Sequence, residues 1–112
     1  MPRVTSAQQI FDHLSEAFVP AAAQGVNAVI QFELTGEGGG AWQARIANGQ
    51  VAVSPGRAAS PTLTLTASAA DYVAIVNGDL KVMSAYMGGR IQIQGDMGLA
   101  LKMQQMFRPP SD

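Results

Sequence analysis

Five short stretches of this chain place an apolar side chain at every second position. Ala28, Ile30, Phe32 and Leu34 alternate with Asn27, Val29, Gln31, Glu33 and Thr35, and Trp42, Ala44 and Ile46 resume the pattern. Val51 and Val53 continue it, then Leu63 and Leu65 between Thr62, Thr64 and Thr66, and last Ile91 and Ile93 between Arg90, Gln92 and Gln94. A strand buried on both faces reads as an unbroken apolar run, whereas a period of two describes a sheet with one face on a core and the other in water. The chain must therefore supply a second layer, and that layer must cover one face only.

The remaining segments supply it. Ala7, Ile10, Phe11, Leu14, Ala17 and Phe18 recur at helical spacing, with Gln8, Gln9, Asp12, His13, Ser15 and Glu16 on the opposite side. Thr5 with Gln8, or Ser6 with Gln9, offers a capping box at the start of this helix. Pro20 to Gln24, closed by Gly25, has room for one short turn. Ser68-Ala69-Ala70-Asp71 is a second capping box, opening a helix through Tyr72, Val73, Ile75 and Val76 to Asn77-Gly78. A shorter helix is expected over about Val82 to Met87, ending at Gly88-Gly89. Asp96 caps a last one that carries Leu99, Ala100, Met103, Met106 and Phe107. Asn48-Gly49 is a two-residue hairpin signal, because both positions tolerate positive φ. Gly36 to Gly40 and Pro55 to Pro61 read as loops. The expected class is α+β: a five-stranded, mainly antiparallel sheet covered on one face by about five helices, one layer of each.

At 112 residues the chain is one domain, residues 1–112 with a core over about 5–107. Charged residues are 13% and apolar ones 47%, the reverse of a disordered tail. Seven Lys and Arg against eight Asp and Glu leave no basic excess, so nucleic acid is not an expected partner. No run approaches the 18 or so apolar residues of a membrane span, and MPRVTSAQQIF does not resemble a signal peptide. The absence of cysteine removes disulfides, thiol catalysis and thiolate-bound zinc, and fits a cytoplasmic protein.

Candidate chemistry is sparse. The glycine loop at Gly36 to Gly40 runs from strand into strand, whereas a phosphate cradle runs from strand into helix. His13, the single histidine, falls on the polar face of the first helix, where no nucleophile accompanies it. The acids form neither a glycosidase pair nor a metal cluster, and no G-x-S-x-G elbow occurs. No catalytic residue, metal or cofactor is expected. Two asymmetries remain. From Val4 to Ala44 there are four acids and no base, and from Lys81 to Arg108 four bases against Asp96 alone. This is either an uneven solvated surface or a basic rim for an anionic head group. Five of six methionines (Met83, Met87, Met97, Met103, Met106) fall in the last third, where they serve as ordinary core or as a plastic apolar wall.

Three segments carry a family resemblance. GGRIQIQGDMGLALKMQ (Gly88 to Gln104) resembles the closing strand and helix of sterol carrier protein type-2 domains, also called non-specific lipid-transfer domains. QFELTGEGGGAW (Gln31 to Trp42) is similar to their first hairpin, and PTLTLTASAADY (Pro61 to Tyr72) to their fourth strand and following helix. The likeness runs in order from about Phe11 to Phe107. It implies an apolar tunnel between sheet and helices that holds a fatty acid, fatty acyl-CoA, sterol or phospholipid without chemistry. The matching wall positions are Phe32, Trp42 and Ile46 from the sheet, and Met83, Met87, Leu101, Met103, Met106 and Phe107 from the helices. Phe11 and Leu14 close one side. On this reading Lys102 or Arg108 meets the head group, and Asp96 to Phe107 is a cover hinged at Gly88-Gly89 and Gly95. The chain departs from eukaryotic members in ending without a peroxisomal tripeptide, which points to a stand-alone bacterial type. The expected function is to bind or carry such a lipid, with transient membrane contact possible. The alternative is an accessory module that holds a lipid for partner enzymes, for instance in isoprenoid-quinone metabolism. A thioesterase built on His13 is the remaining reading.

Overall fold

The computed structural model describes residues 4–107. Helix α1 spans Ala7–Ala17 and is followed by a 3-10 turn, Pro20–Ala23. Strands β1 (Ala28–Thr35), β2 (Gly40–Ala47), β3 (Gln50–Pro55) and β4 (Leu63–Ser68) come next. Then come α2 (Ala69–Val76), α3 (Val82–Met87), β5 (Ile91–Gly95) and α4 (Met97–Met106). The caps are those expected from sequence. Ser6 Oγ accepts from Gln9 N at 3.3 Å, Ser68 Oγ from Asp71 N at 3.0 Å and Asp96 Oδ1 from Leu99 N at 3.1 Å. Each satisfies a helix N–H that would otherwise lack an intrahelical partner.

The strands form one sheet in the order β3-β2-β1-β4-β5. β1 lies parallel to β4, and the other three pairings are antiparallel. The sheet is therefore mixed. The reason is the crossing from β3 to β4, which carries the chain past β2 and β1 and sets β4 down in the direction of β1. The described helices number four, not about five, because Pro20-Ala21-Ala22-Ala23 closes only an i to i+3 turn, with Ala22 N bonded to Val19 O at 3.1 Å. The β2–β3 hairpin turns at Asn48 (φ 55°) and Gly49 (φ 72°), as its right-handed twist requires.

Register aligns the inward faces. Trp42, Phe32, Leu65 and Ile93 form one row across the sheet, and Ala44, Ile30 and Leu63 the next. Phe11 of α1 sits on the first row, stacked on Trp42 at 4.4 Å and edge-on to Phe32 at 5.0 Å. α1 packs against α2 and β3, and α4 against the 3-10 turn, β4 and β5. The end of α4 is stitched to the corner after α1: Val19 N donates to Met106 O at 2.7 Å, and the Phe18 and Phe107 rings lie 5.6 Å apart.

The outer face is not wholly wet. Gln31, which alternation assigns to water, is buried, because the loop after β3 folds back over it. Its amide nitrogen donates to the carbonyls of Trp42 and Gly56 at 3.2 Å each, and its Oε1 accepts from Ala58 N at 2.7 Å. Beside it Arg57 and Glu33 pair at 2.9 Å.

Candidate functional site

The helices do not fill the space they cover. A cavity of about 500 Å³ lies between the sheet and α1, α2 and α4. Its floor is Phe32, Leu63, Leu65 and Ile93, and its walls include Ile10 and Leu14 of α1, Tyr72, Ile75 and Val76 of α2, and Ala100 and Met103 of α4. Leu80 and Lys81 of the connection from α2 to α3, with Val82 and Met83 at the start of α3, supply the rim, and of these Lys81 and Met83 are exposed. A pocket of this size, mostly apolar with a few polar groups, has the proportions of a small-molecule site.

Among the described lining residues two carry a polar side chain, Tyr72 and Lys81. Lys81 precedes α3 and makes no ion pair among the described residues. Tyr72 is 7% exposed, with its ring 5.6 Å from Phe32 and 6.2 Å from Phe11. Burial pushes its phenol well above its ordinary pKa of 10.0, since the phenolate would lose its hydration. The folded state thus holds this proton at a pH where the unfolded chain releases it. The resulting stability is complete below about pH 10 and is lost as pH rises beyond it. In urea titrations at pH 8 and pH 11, the wild type should therefore lose more stability between the two than Tyr72→Phe does; equal losses would refute the assignment.

The structure distributes the sequence-derived wall residues unevenly. Leu14, Phe32, Met83, Met103 and Phe107 line the cavity together. Phe11, Trp42, Ile46 and Met106 are buried in the core outside the lining. Met87 is 82% and Leu101 59% exposed. Leu101 and Lys102 border a second, more open depression beside Ala28 and Thr62. Arg108 lies outside the described residues. Gly95, which sequence reading offered as a hinge, is a point of close approach: at φ +113° a side chain there would collide with the Thr62 carbonyl. His13 is half-exposed and among the described residues pairs with Glu16, at 2.8 Å. No group of three or more His, Asp or Glu that could hold a metal occurs among the described residues, and none of the described helices is long and apolar enough to cross a membrane.

Residues 7–108 match the SCP-2 sterol transfer family. The chain belongs to that family. Among its relatives, hydroxysteroid dehydrogenase-like protein 2 of Xenopus tropicalis is 29% identical over 101 residues, 89% of this chain and 24% of that protein. The chain thus spans about a quarter of the length of the curated relatives it matches. The solution structure of palmitated SCP2L2 from Aedes aegypti superposes with a TM-score of 0.70 at 29% identity, covering 90% of this chain and 93% of that one. The ubiquinone synthesis protein UbiJ-SCP2 shares the fold at 16% identity, with a TM-score of 0.66 over 88% of this chain and 86% of its own.

Sequence reading missed Tyr72 and Lys81 as lining residues, along with Ile10, Leu65, Ile75 and Ile93. Tyr72 is the one polar aromatic in the helix opened by Ser68, four residues beyond that cap, a position that in sequence alone does not tell lining from core.

Proposed function

We propose that this chain binds and carries a single-chain lipid, a fatty acid or fatty acyl-CoA, and performs no reaction on it. The observation that supports this most directly is the cavity, about 500 Å³ in volume with only two polar side chains among the described residues of its lining. Each methylene moved into it from water is worth about 0.8 kcal/mol. Family membership and the palmitated mosquito relative point the same way. The apolar ligand-binding positions are Leu14, Phe32, Met83, Met103 and Phe107, and an anionic head group is met at the rim by Lys81. Lys102, on the neighbouring depression, and Arg108 are alternative head-group contacts. Exposed Met83 and Met87 beside Lys81 and Arg90 suit a passing contact with a membrane that supplies the lipid. The chain has no cysteine, which suits a cytoplasmic setting.

A second reading places the loaded domain at the service of other enzymes. Its support is that a comparable segment forms a quarter of a dehydrogenase-like protein and that UbiJ-SCP2 shares the fold. Mild purification, native mass spectrometry and organic extraction test the proposal. A reproducible adduct of one lipid class, restored after delipidation by hexadecanoic acid, is the expected result. A bare mass that stays unchanged with fatty acids, acyl-CoA and quinones would overturn it. Enzymes that co-purify with the loaded form would favour the second reading.

A further inference from the structure

A hydroxyl on a residue that lines an apolar cavity needs a partner, and Tyr72 has none among the described residues. The residue is 93% removed from solvent, and its hydroxyl forms no hydrogen bond with any of the described residues. Yet no buried side-chain nitrogen or oxygen among the described residues is sealed away without a partner. The Tyr72 oxygen therefore keeps open surface, and Tyr72 is one of the residues that line the cavity. Of the other lining residues, Phe32, Leu65 and Ile75 have hydrocarbon side chains with no acceptor for a hydroxyl, and Met103 has only a thioether sulfur, a weak acceptor. Lys81, the other polar lining residue, sits at the rim where water reaches it.

From this arrangement we infer that Tyr72 is a specificity-determining residue, selecting amphiphiles whose apolar body carries a neutral oxygen (a carbonyl, hydroxyl or ether) over plain alkyl chains. The inference rests on the lipid-carrier reading and names the ligand class of the same site. A plain chain laid along the cavity leaves the tyrosine hydroxyl dry and unpaired. A chain with an oxygen at the right depth gives it a partner, and that oxygen is itself spared burial without one. An apolar wall alone works the other way, because an added carbonyl costs desolvation and weakens binding wherever it sits. Sites that hydrogen-bond a ligand oxygen discriminate strongly against the analogue that lacks it, since the protein group is then stranded.

The test uses the full chain, with hexadecanoic acid and a series of hexadecanoic acids carrying one keto group at different positions along the chain. Affinities are measured by calorimetry for wild type and Tyr72→Phe, which keeps the ring and its packing. Wild type should show one preferred keto position. At that position the ratio of keto-acid to plain-acid dissociation constants should rise about tenfold in the variant, partly because the plain acid, which no longer strands a hydroxyl, binds the variant more tightly. A wild-type series without a preferred position, or the same ratio in both proteins, overturns the role of Tyr72 and leaves the carrier reading standing. Failure of wild type to bind even hexadecanoic acid overturns the carrier reading and this inference with it.

Discussion

Replacing Met103 by glutamate is expected to abolish lipid binding while leaving the domain folded. Met103 is half-buried on α4 and lines the cavity opposite the sheet floor. In the empty protein a carboxylate there keeps water through the open rim, so the stability cost should stay near about 1 kcal/mol. In the loaded protein the same carboxylate must shed that water against an alkyl chain, with no cation among the described lining residues except Lys81. The effective penalty for stripping an unpaired ion is several kcal/mol, and about 3 kcal/mol already weakens binding by roughly 100-fold. Calorimetric titration with hexadecanoic acid reads the affinity, and urea unfolding reads the fold. Unchanged affinity would remove α4 from the site.

Phe32→Ala should show the opposite balance. This ring is fully buried, flanked in register by Trp42 and Leu65, and covered by Phe11 at 5.0 Å and Tyr72 at 5.6 Å. Removing it takes away transfer energy and leaves a void that a strand cannot move to fill, a loss of about 3–5 kcal/mol. Against a total of about 5–15 kcal/mol for a domain, the variant would be barely folded. The urea midpoint should fall with the slope unchanged. Because Phe32 also floors the cavity, saturating lipid should recover part of the loss through binding to the folded state. A midpoint shift worth less than about 1 kcal/mol would mean that the aromatic cluster is not the mechanical centre of the fold.

The order of elements was legible because each rests on a local signal. Period-two alternation marked the strands, Ser6, Ser68 and Asp96 marked helix starts, and Asn48-Gly49 marked the hairpin. Strand partners were not, since alternation says which face is buried and nothing about which neighbour lies alongside. The parallel pairing of β1 with β4 depends on where a loop carries the chain, and the composition of Gly56 to Pro61 does not encode that path. Gln31 misled for a related reason: a side chain with donors and acceptor is as much at home under a returning loop as in water.

Site residues divide along the same line. The apolar stripe of α4, Leu99 with Ala100, Met103, Met106 and Phe107, already sets Leu101 on the opposite side at 100° per residue, and there it lies, 59% exposed. Met83 and Met87 belong to a helix of six residues, too short for periodicity to fix its phase. One reaches the rim and the other faces solvent. The gap between layers is a property of the assembled fold, so a lone tyrosine in an apolar helix gave no sign that it would line a cavity.

The pairing of Glu33 with Arg57 has a consequence during synthesis. β1, β2 and β3 can join as soon as they leave the ribosome, but β1 then presents a bare edge until β4 arrives, with Val29 and its partner Thr62 33 residues apart. At about 5–20 residues per second, those 33 residues take roughly two to seven seconds to make. Throughout that interval the edge is a template on which a second nascent copy could stack. Glu33 is the one charged residue of β1, and it stays unneutralised until Arg57 has emerged and the loop has folded back. An unpaired charge on a bare strand disfavours stacking of like copies, so Glu33 opposes such pairing until the loop that carries Arg57 folds back and makes it one half of a surface ion pair.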